Sequence, residues 1–570
     1  MKASLWTYSY LLFWTGVVEA RSACRYLPGD AEWPSDSAWA RLNRTVNNRL
    51  IATVPLGSPC HDEAVDAARC DELKEQWVYP QLHVEDPSSI VAPYFQNQSC
   101  DPFTSPSSPC RIGNYVEYAI NVSTAADVAA GLVFAQKWNI RLVIKNTGHD
   151  LLGRSTGKGA LGLWMHNLRS LLLSNYRSSH YTGKTITMGA GVQAFEAYAF
   201  AAQHHLRVVG GTCSTVGLSG GYTQGGGHSM LSTQYGLGAD QVLEWEVVLA
   251  NGSHVRASPA SHPDLYWALS GGGGGTFAVV LSMTVKAHVD TPVTGASLTV
   301  SQKSSSPDAA DQFWHAVDAF HAAMPSWIDA GAATGYYLVD GALSLIPATF
   351  PNRTAAEAEA LMKPFLQRLD ALDALAISFN VSSFPGYLPF FDHYFGPLPY
   401  GAYTSAQVQG GRLVPRAVLT SPESNAALTT ALRTVTSHGA FHVVGVGLDV
   451  SNAAAPSNAV HPGWRKAATT LVVAANWDYE RPFADNAAHE TLITEQFDPL
   501  LQEITGPESG AYMNEGDFRQ GDFRRQFFGD NYGPLRAIKR RYDPREVFYG
   551  TAMVGSDGWR VERDGRLCRV

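Results

Sequence analysis

The architecture of this chain follows from residues 141–168, RLVIKNTGHDLLGRSTGKGALGLWMHNL, together with residues 208–229, VVGGTCSTVGLSGGYTQGGGHS. The first segment places His149 directly after an apolar strand, in a glycine-rich turn. The second places Cys213 among eight glycines. Glycine at this density costs backbone entropy, so it is used where the backbone takes positive φ angles or lies against a flat ligand with phosphates. The two segments therefore predict cradles for one cofactor, with His149 and Cys213 as covalent anchors.

Composition narrows the class of protein. The chain has 570 residues, of which 45% are hydrophobic and 16% charged, which is ordinary for a globular protein and leaves room for two or three domains. The net charge of −9 argues against a nucleic-acid partner. Beyond the N-terminus there is no apolar stretch of about 18 residues, so we expect no membrane partner. HExxH, paired CxxC and P-loop motifs are absent from the sequence, and we expect no metal site.

The N-terminus has the pattern of a secretory signal peptide, which we assign to residues 1–20. Lys2 supplies the charged end, residues 11–18 the short apolar core, and Val18-Glu19-Ala20 the small residues of a cleavage site. A buried N-terminal helix is the alternative. Export is consistent with Asn-X-Ser/Thr sequons, which predict a secreted glycoprotein and lie at Asn43, Asn97, Asn121, Asn251, Asn352 and Asn380.

Seven cysteines follow the predicted cleavage site. Cys60 and Cys70, and likewise Cys100 and Cys110, are ten residues apart, so local disulfides are plausible. The cysteines at positions 24 and 568 lie near the two ends and could join them, although sequence alone does not fix connectivity. If the three pairs form, Cys213 is left over. Attachment to a cofactor would explain it, and a buried free thiol is the alternative.

The order of patterns divides the chain. Residues 21–110 are irregular, with a helix expected at 62–77. A strand at 115–122, a helix at 125–138 and a strand at 141–145 then place the His149 turn at the end of a β-α-β unit, where ligands often bind. Thr124 and Asp127 form a capping-box pattern at the start of that helix.

A dinucleotide fingerprint is matched as a string by Gly189-Ala190-Gly191-Val192-Gln193-Ala194. No acidic residue follows to hold a ribose, so a nicotinamide site is rejected.

The rest of the chain predicts mixed structure. Expected strands are 185–188, 241–249, 254–257, 276–286, 333–346, 376–381, 441–450, 469–477 and 511–514. Expected helices are 194–205, 263–270, 308–324, 355–372, 422–437 and 535–542. Asn251-Gly252 is typical of a hairpin turn. Strands with interspersed helices after residue 289 favour an α+β domain, with a sheet covered by helices on one side.

Five motifs in order resemble the FAD-linked oxidases of the vanillyl-alcohol oxidase superfamily, in the secreted fungal form of its berberine-bridge-enzyme-like branch. They are residues 147–150 (TGHD), 213–217 (CSTVG), 225–227 (GGG), 264–269 (DLYWAL, with the glycines that follow) and 542–544 (YDP). The resemblance extends from about residue 110 to 555. It implies an α+β fold: a two-lobed PCMH-type FAD-binding domain with an inserted α+β substrate domain, an antiparallel sheet covered by helices.

The domain boundaries combine this resemblance with the changes in composition. We expect a disulfide-pinned N-terminal arm at 21–110 and the FAD-binding domain at 111–290. The substrate domain is expected at 291–510, and a C-terminal berberine-bridge-like segment, returning to the FAD domain, at 511–570.

The resemblance implies FAD linked covalently through His149. In the branch with two links, a cysteine before T-V-G also binds the flavin, and that cysteine is Cys213 here. This chain has Cys-Ser-Thr where Cys-Pro-Thr is usual, and one extra residue before Gly220-Gly221. Backbone N–H groups at 189–192 and 212–221 are expected to cradle the pyrophosphate. The full predicted binding set is Thr147, Gly148, His149, Asp150, Gly153, Gly189, Gly191, Cys213, Thr215, Val216, Gly217, Gly220, Gly221, Gly226 and Asn514.

The implied reaction is hydride removal from a carbon of an alcohol, sugar or other metabolite, with O2 as final acceptor and H2O2 as product. The base of berberine-bridge enzymes is a glutamate, and the aligned position here is Ala474. The family's alternative Y-x-N-Y pattern reads Tyr512-Met513-Asn514-Glu515, so Glu515 is the candidate base, against the alternative of a solvated turn carboxylate. Tyr512 is a second candidate. His228 is expected to act as a supporting hydrogen-bonding group.

The sequence has features of three other functions. Residues 217–221 match the GxSxG hydrolase elbow as a string, but the apolar strand that this elbow requires is missing. A secreted binding glycoprotein that keeps the fold without catalysis is favoured only by the loss of the usual base. Oxidative cyclisation or desaturation in secondary metabolism would use the same flavin. The substrate and the oligomeric state are left open.

Overall fold

The computed structural model describes residues 24–61, 65–404, 406–452 and 457–570. The predicted signal peptide lies outside the described residues. The strands are β1 Leu50–Ala52, β2 Tyr118–Asn121, β3 Arg141–Lys145, β4 Ala160–Trp164, β5 Leu171–Arg177, β6 Thr182–Gly189, β7 Leu206–Arg207, β8 Val242–Leu249, β9 His254–Ala257, β10 Ala278–Lys286, β11 His288–Val289, β12 Val293–Gln302, β13 Ala333–Val339, β14 Ala342–Pro351, β15 Leu375–Phe384, β16 Gln407–Pro415, β17 Phe441–Gly447, β18 Ala467–Asn476, β19 Trp559–Val561 and β20 Leu567–Arg569.

The helices alternate with these strands. They are α1 Asp36–Thr45, α2 Ala67–Gln76, α3 Pro80–Val84, α4 Pro93–Gln96, α5 Ala125–Lys137, α6 Ala194–Gln203, α7 Ser232–Tyr235, α8 Gly238–Gln241, α9 Pro263–Leu269, α10 Pro307–Asp329, α11 Ala355–Leu369, α12 Tyr387–Phe395, α13 Arg416–Thr420, α14 Pro422–Thr436, α15 Phe483–Leu492, α16 Asp498–Thr505 and α17 Tyr532–Tyr542. Among the described residues, no helix combines the length and apolar composition needed to cross a bilayer.

Two sheets form the first half of the molecule. The smaller has the order β1-β2-β4-β3, in which β2, β4 and β3 are parallel. The larger has the order β5-β6-β10-β8-β9 and is antiparallel. A buried apolar cluster joins them through side chains such as Leu142, Leu161 and Leu281. Helix α5 begins at the predicted capping box, in which Thr124 and Asp127 bond reciprocally. This local signal positions β3 and the turn that follows it.

A seven-stranded antiparallel sheet forms the second half, in the order β15-β12-β14-β13-β17-β18-β16. Its buried side chains pack with those of α10, α11 and α14 in one apolar cluster that includes Phe313, Phe365 and Leu432. This is the predicted antiparallel sheet covered by helices, and the α+β fold class is confirmed.

Two predicted strands are wrong. Residues 333–346 form a hairpin instead of one strand, because the chain turns between β13 and β14 at Gly341, whose φ of +74° favours glycine. Residues 511–514 form no strand. They begin a turn that is closed when Glu515 donates its backbone N–H to the carbonyl of Tyr512 at 2.9 Å. That turn presents side chains to the cavity described below.

The cysteine pairs form as the sequence suggested. Disulfides join Cys24 to Cys568, Cys60 to Cys70, and Cys100 to Cys110. Cys213 is the free cysteine. Within the described ranges, no group of three or more His, Cys, Asp or Glu side chains is arranged to hold a metal ion.

Two sequence motifs meet at the C-terminal helix α17. Tyr542 donates its hydroxyl to Asp264 at 2.9 Å, so the YDP motif contacts the DLYWAL motif directly. Asp543 is fully buried and accepts hydrogen bonds from Lys539 Nζ at 2.7 Å and from the backbone N–H groups of residues 547 and 548. A buried charge of this kind is stable only when it is paired and hydrogen-bonded. The motifs therefore attach the C-terminal segment to the first half of the chain.

Candidate active site

A cavity of about 340 Å³ lies between the glycine-rich turns and one face of the seven-stranded sheet, within the range of roughly 300–1,000 Å³ common for small-molecule sites. Its walls include twelve of the predicted residues, which are Thr147, Gly148, His149, Asp150, Cys213, Val216, Gly217, Gly220, Gly221, Tyr512, Asn514 and Glu515. The cavity thus brings together residues from three separate parts of the chain.

The turn that carries His149 leaves β3 directly. Gly148 has φ of +82°, a conformation that favours glycine, and a Cβ there would lie 2.9 Å from Lys145 Cε and displace that side chain. His149 Nε2 lies 2.7 Å from Thr215 Oγ1. Burial, with the neighbouring charges of His83 and Lys145, lowers the pKa of His149 to about 3. The imidazole is therefore neutral at physiological pH and nucleophilic.

Cys213 contacts the same threonine. Its Sγ is 3.6 Å from Thr215 Oγ1, so one hydroxyl contacts both predicted anchors. Burial raises the pKa of the Cys213 thiol to about 11. Thr215 is itself fully buried and does not line the cavity. It contacts the side chains of both His149 and Cys213 without forming part of the cavity wall.

Asp150 and Arg154 close the turn after His149. The Asp150 carboxylate accepts backbone hydrogen bonds from Leu152 at 3.1 Å and from Arg154 at 2.6 Å. Burial raises the pKa of Asp150. The Arg154 guanidinium donates to the carbonyls of Met513 at 2.9 Å and Thr551 at 3.0 Å. Arg154 thereby ties the turn to the C-terminal segment, a role that no local pattern in residues 141–168 predicts.

Four predicted glycines lie outside the cavity walls. Gly153 packs against Phe95, and Gly226 lies beside Tyr512. Gly189 and Gly191 pack against the backbone of residues 165–170. The N–H groups of residues 189–192 all donate to protein carbonyls. This corrects the expectation that these amides cradle a pyrophosphate, because each already has an acceptor.

The candidate catalytic residues share the turn at 512–515. Glu515 Oε1 lies 2.7 Å from His228 Nε2, and both side chains line the cavity. Burial opposes protonation of His228, but the charge and hydrogen bond of Glu515 outweigh it and raise the pKa of His228. Tyr512 is buried, which raises its pKa above the ordinary value, and its hydroxyl accepts a 2.8 Å hydrogen bond from Asn514 Nδ2. Of the two candidates, Glu515 is the one suited to accept a proton.

Ala474 lies on β18, at the position that the family resemblance aligns with the catalytic glutamate of berberine-bridge enzymes. It is fully buried, and its register partners are Gln409 on β16 and His442 on β17. Gln407 and Gln409 line the cavity and were missed. The signal was their spacing of two residues, which places both on one face of a strand, but β16 itself was not predicted.

The cavity offers unpaired polar atoms to a polar ligand. Asn146 Oδ1, Arg154 Nη2 and Gln224 Oε1 are buried, line the cavity, and have no hydrogen-bond partner among the described residues. Buried polar atoms are normally paired, so such a group indicates a missing partner. A large ligand with several donors and acceptors, such as FAD, fits this set together with the glycine-rich walls.

Known proteins share both the sequence and the fold. A family model described as "FAD binding domain" matches residues 116–258, and one described as "Berberine and berberine like" matches residues 511–552. The VAO-type flavoprotein oxidase VAO615 of Thermothelomyces thermophilus is 45% identical over 555 residues, which cover 96% of each chain.

Solved structures agree. The crystal structure of the VAO-type flavoprotein MtVAO615 from Myceliophthora thermophila C1 is 45% identical, covers 96% of this chain and 100% of its own, and superposes with a TM-score of 0.93. A glucooligosaccharide oxidase from Acremonium strictum, 19% identical over 77% of this chain and 91% of its own, has a TM-score of 0.63 and shows the fold alone. These findings confirm the resemblance seen in the motifs. The chain belongs to the FAD-linked oxidoreductases of the VAO type, with a berberine-bridge-like C-terminal segment, and its cofactor is FAD.

Proposed function

We propose that this protein is a secreted oxidase that removes a hydride from a substrate alcohol carbon, with FAD attached through His149 and Cys213. The observation that carries the proposal is the convergence of a neutral imidazole, a free thiol and a carboxylate–imidazole pair on one cavity. FAD supplies the two-electron acceptor when it is bound. The remaining steps belong to side chains of this chain.

The two anchors are placed for covalent attachment. Thr215 holds Nε2 of His149, so Nδ1 is the ring nitrogen available to the flavin. The free Cys213 shares that threonine. The fold relative from Acremonium strictum carries a 6-S-cysteinyl, 8α-N1-histidyl FAD. The same two residue types on one cavity support two links here.

Glu515 is the base in this proposal. Its carboxylate would receive the hydroxyl proton of the substrate as the carbinol carbon loses a hydride and becomes a carbonyl, and bound FAD would supply the two-electron acceptor. O2 then takes two electrons and two protons and leaves as H2O2, so an alcohol and O2 give a carbonyl compound and H2O2. His228 is the positioning residue that fixes Glu515 through the 2.7 Å contact.

Export completes the proposal. The three disulfides are compatible with an oxidising compartment. Four of the sequons lie at exposed asparagines, Asn97, Asn251, Asn352 and Asn380. Both features support a secreted glycoprotein.

The test compares the wild type with His149→Ala, Cys213→Ala and the double variant. Each protein is expressed with its signal, denatured in acid and examined for flavin in the pellet, and peroxide release is followed with a panel of alcohols. Flavin that stays in the pellet of the wild type and of both single variants, but not of the double variant, is the expected result. Yellow supernatant over a colourless wild-type pellet contradicts the covalent links. Bound flavin that no alcohol reduces contradicts the oxidase.

A further inference from the structure

The sheet face over the cavity is mainly apolar. Side chains alternate along a strand, and Val444 and Val446 of β17 line the cavity while Val443 packs in the helix-side core. On β18, Thr470 and Val472 line the cavity in the same way. The register pairs Val444 with Val472 and Val446 with Thr470, so the four side chains form one continuous patch. We call these four residues the valine patch.

Charge around the patch is sparse. The one cavity-lining arginine, Arg154, lies on the turn after His149 and is bonded to the carbonyls of residues 513 and 551. The sheet side contributes no lysine or arginine among the described cavity walls. The carboxylates of the cavity wall are Asp150, on the turn after His149, and Glu515, on the turn at 512–515. On the sheet side an anionic ligand would meet no lysine or arginine, and it would share the cavity with the Glu515 carboxylate, which is unfavourable at low dielectric.

The patch contains one unpaired polar atom. Thr470 is 2% exposed, and its Oγ1 has no hydrogen-bond partner among the described residues. By contrast, Gln407 Nε2 donates to Gln409 Oε1 at 2.7 Å, so the two glutamines partly satisfy each other. A buried hydroxyl without a partner costs free energy and is expected to meet one in the ligand.

We propose that the substrate is an uncharged, mainly apolar alcohol whose carbon skeleton lies on the valine patch. Its reacting hydroxyl reaches Glu515, and a second, uncharged oxygen bonds Thr470 Oγ1. The inference rests on the proposed function and specifies its substrate class. Anionic compounds and oligosaccharides are poor ligands in this account, because the patch offers the former no cation and the latter few polar partners.

Binding is measured by the change in flavin absorbance of the oxidised holoenzyme, with three tertiary alcohols and with a disaccharide whose anomeric hydroxyl is blocked as a methyl glycoside. The probes are 2-phenylpropan-2-ol, its para-hydroxy derivative, its para-carboxylate derivative, and methyl β-cellobioside. A tertiary alcohol has no carbinol hydrogen, so the titration reports binding without turnover. We expect the two uncharged aryl alcohols to bind at least about tenfold more tightly than the carboxylate or the cellobioside. Equal or tighter binding of either of those two overturns the proposal.

Two reciprocal, nearly isosteric substitutions test whether the valine patch determines this ligand preference. Val472→Thr adds a hydroxyl to the patch and is expected to weaken both uncharged probes by about three- to tenfold, as burial of an unpaired hydroxyl requires. Thr470→Val is expected to weaken only the para-hydroxy probe. Val133→Thr, the same change on the exposed face of α5, where Val133 is 59% exposed, is the matched control. If either patch variant binds like the control, the assignment of the patch is wrong.

Measurement of the flavin content distinguishes a failure of this inference from a failure of the proposed function. Each preparation is checked for acid-stable flavin before titration. Normal flavin with the wrong ligand preference overturns the substrate class and leaves the oxidase intact. Loss of flavin from the wild type overturns the proposed function itself.

Discussion

His228 Nε2 lies 2.7 Å from Glu515 Oε1, although 287 residues separate them in the sequence. The imidazole ring packs against Tyr512 and Trp464, with centroid distances of 5.3 and 6.3 Å. Its Nδ1 is buried without a partner in the described part of the chain. The contact with Glu515 is therefore the hydrogen bond that orients the side chains of this pair, and under the proposed function the second carboxylate oxygen of Glu515 receives the substrate proton.

Replacing Glu515 by Gln tests the base. The amide keeps the size of the side chain but cannot take a proton, so we expect kcat/KM to fall by about 10²- to 10⁴-fold while bound flavin stays at the wild-type level. Flavin reduction by substrate is followed anaerobically in a stopped-flow instrument. A Gln variant that reduces its flavin as fast as the wild type would place the base elsewhere.

The same variant tests the electrostatics of the pair. The titratable groups that contact the His228 ring are Glu515 and Tyr512, and of these Glu515 raises the pKa of His228. In Glu515→Gln we expect the His228 pKa to fall, measured by NMR of ¹³C-labelled histidine with His228→Gln to assign the signal. In His228→Gln the pH profile of kcat/KM should change shape. An unchanged profile would leave His228 with a packing role only.

Thr215 is predicted to support covalent attachment. Thr215→Val keeps the volume but removes the hydroxyl that contacts both His149 and Cys213. Loss of one hydrogen bond is worth on the order of 1 kcal/mol, so attachment should slow by several-fold. The readout is the acid-stable share of bound flavin at fixed times after FAD addition to flavin-free protein. Thr215→Ser, which retains the hydroxyl, should attach flavin at the wild-type rate. Equal attachment rates in Thr215→Val and Thr215→Ser would show that this hydroxyl does not contribute to covalent attachment.

The two links should differ in pH dependence. The pKa of His149 is lowered to about 3 by burial, so its imidazole is neutral throughout pH 6–9. The pKa of Cys213 is raised to about 11 by burial, so its thiolate share grows with pH across that interval. In His149→Ala, acid-stable flavin should form faster at pH 9 than at pH 6, whereas in Cys213→Ala the rate should vary little. The opposite pH dependence of the two variants would mean that bound flavin reverses the effects of burial on the pKa values of His149 and Cys213.

A buried carboxyl outside the cavity makes stability depend on pH. Glu490 is fully buried, neither of its carboxyl oxygens has a hydrogen-bond partner among the described residues, and burial together with Asp517 raises its pKa. The folded state thus binds this proton more tightly than the unfolded chain does. The stabilisation is complete below about pH 4, the unfolded value, and is lost as the pH rises through the folded pKa.

Glu490→Gln removes that titration. We expect the variant to match the wild type near pH 4 and to have a higher Tm than the wild type at pH 8, measured by thermal unfolding of holoenzyme. Glu503→Gln, at an exposed position of α16, is the matched control and should follow the wild type at both pH values. A Glu490 variant that loses stability equally at both pH values would show that the carboxylate is charged in the fold.

Much of this protein can be predicted from sequence because the deciding interactions are local. The capping box at Thr124 uses groups three residues apart, and the turn that presents His149 follows directly from an apolar strand and a glycine with positive φ. The number of cysteines identified Cys213 as the unpaired one, because the other six could form three disulfides. Such signals lie within a few residues of the structure they specify.

Tertiary structure alone decided the rest. Thr215 lies behind His149 only because two loops 66 residues apart pack together. The glycine-rich motif predicted that the backbone N–H groups of residues 189–192 bind a ligand. In the structure these groups donate to carbonyls of neighbouring strands and turns. The valine patch depends on which face of β17 and β18 turns toward the cavity. Hydrogen bonds and packing between distant segments are fixed by the way the sheets assemble, and no local pattern in the sequence records that assembly.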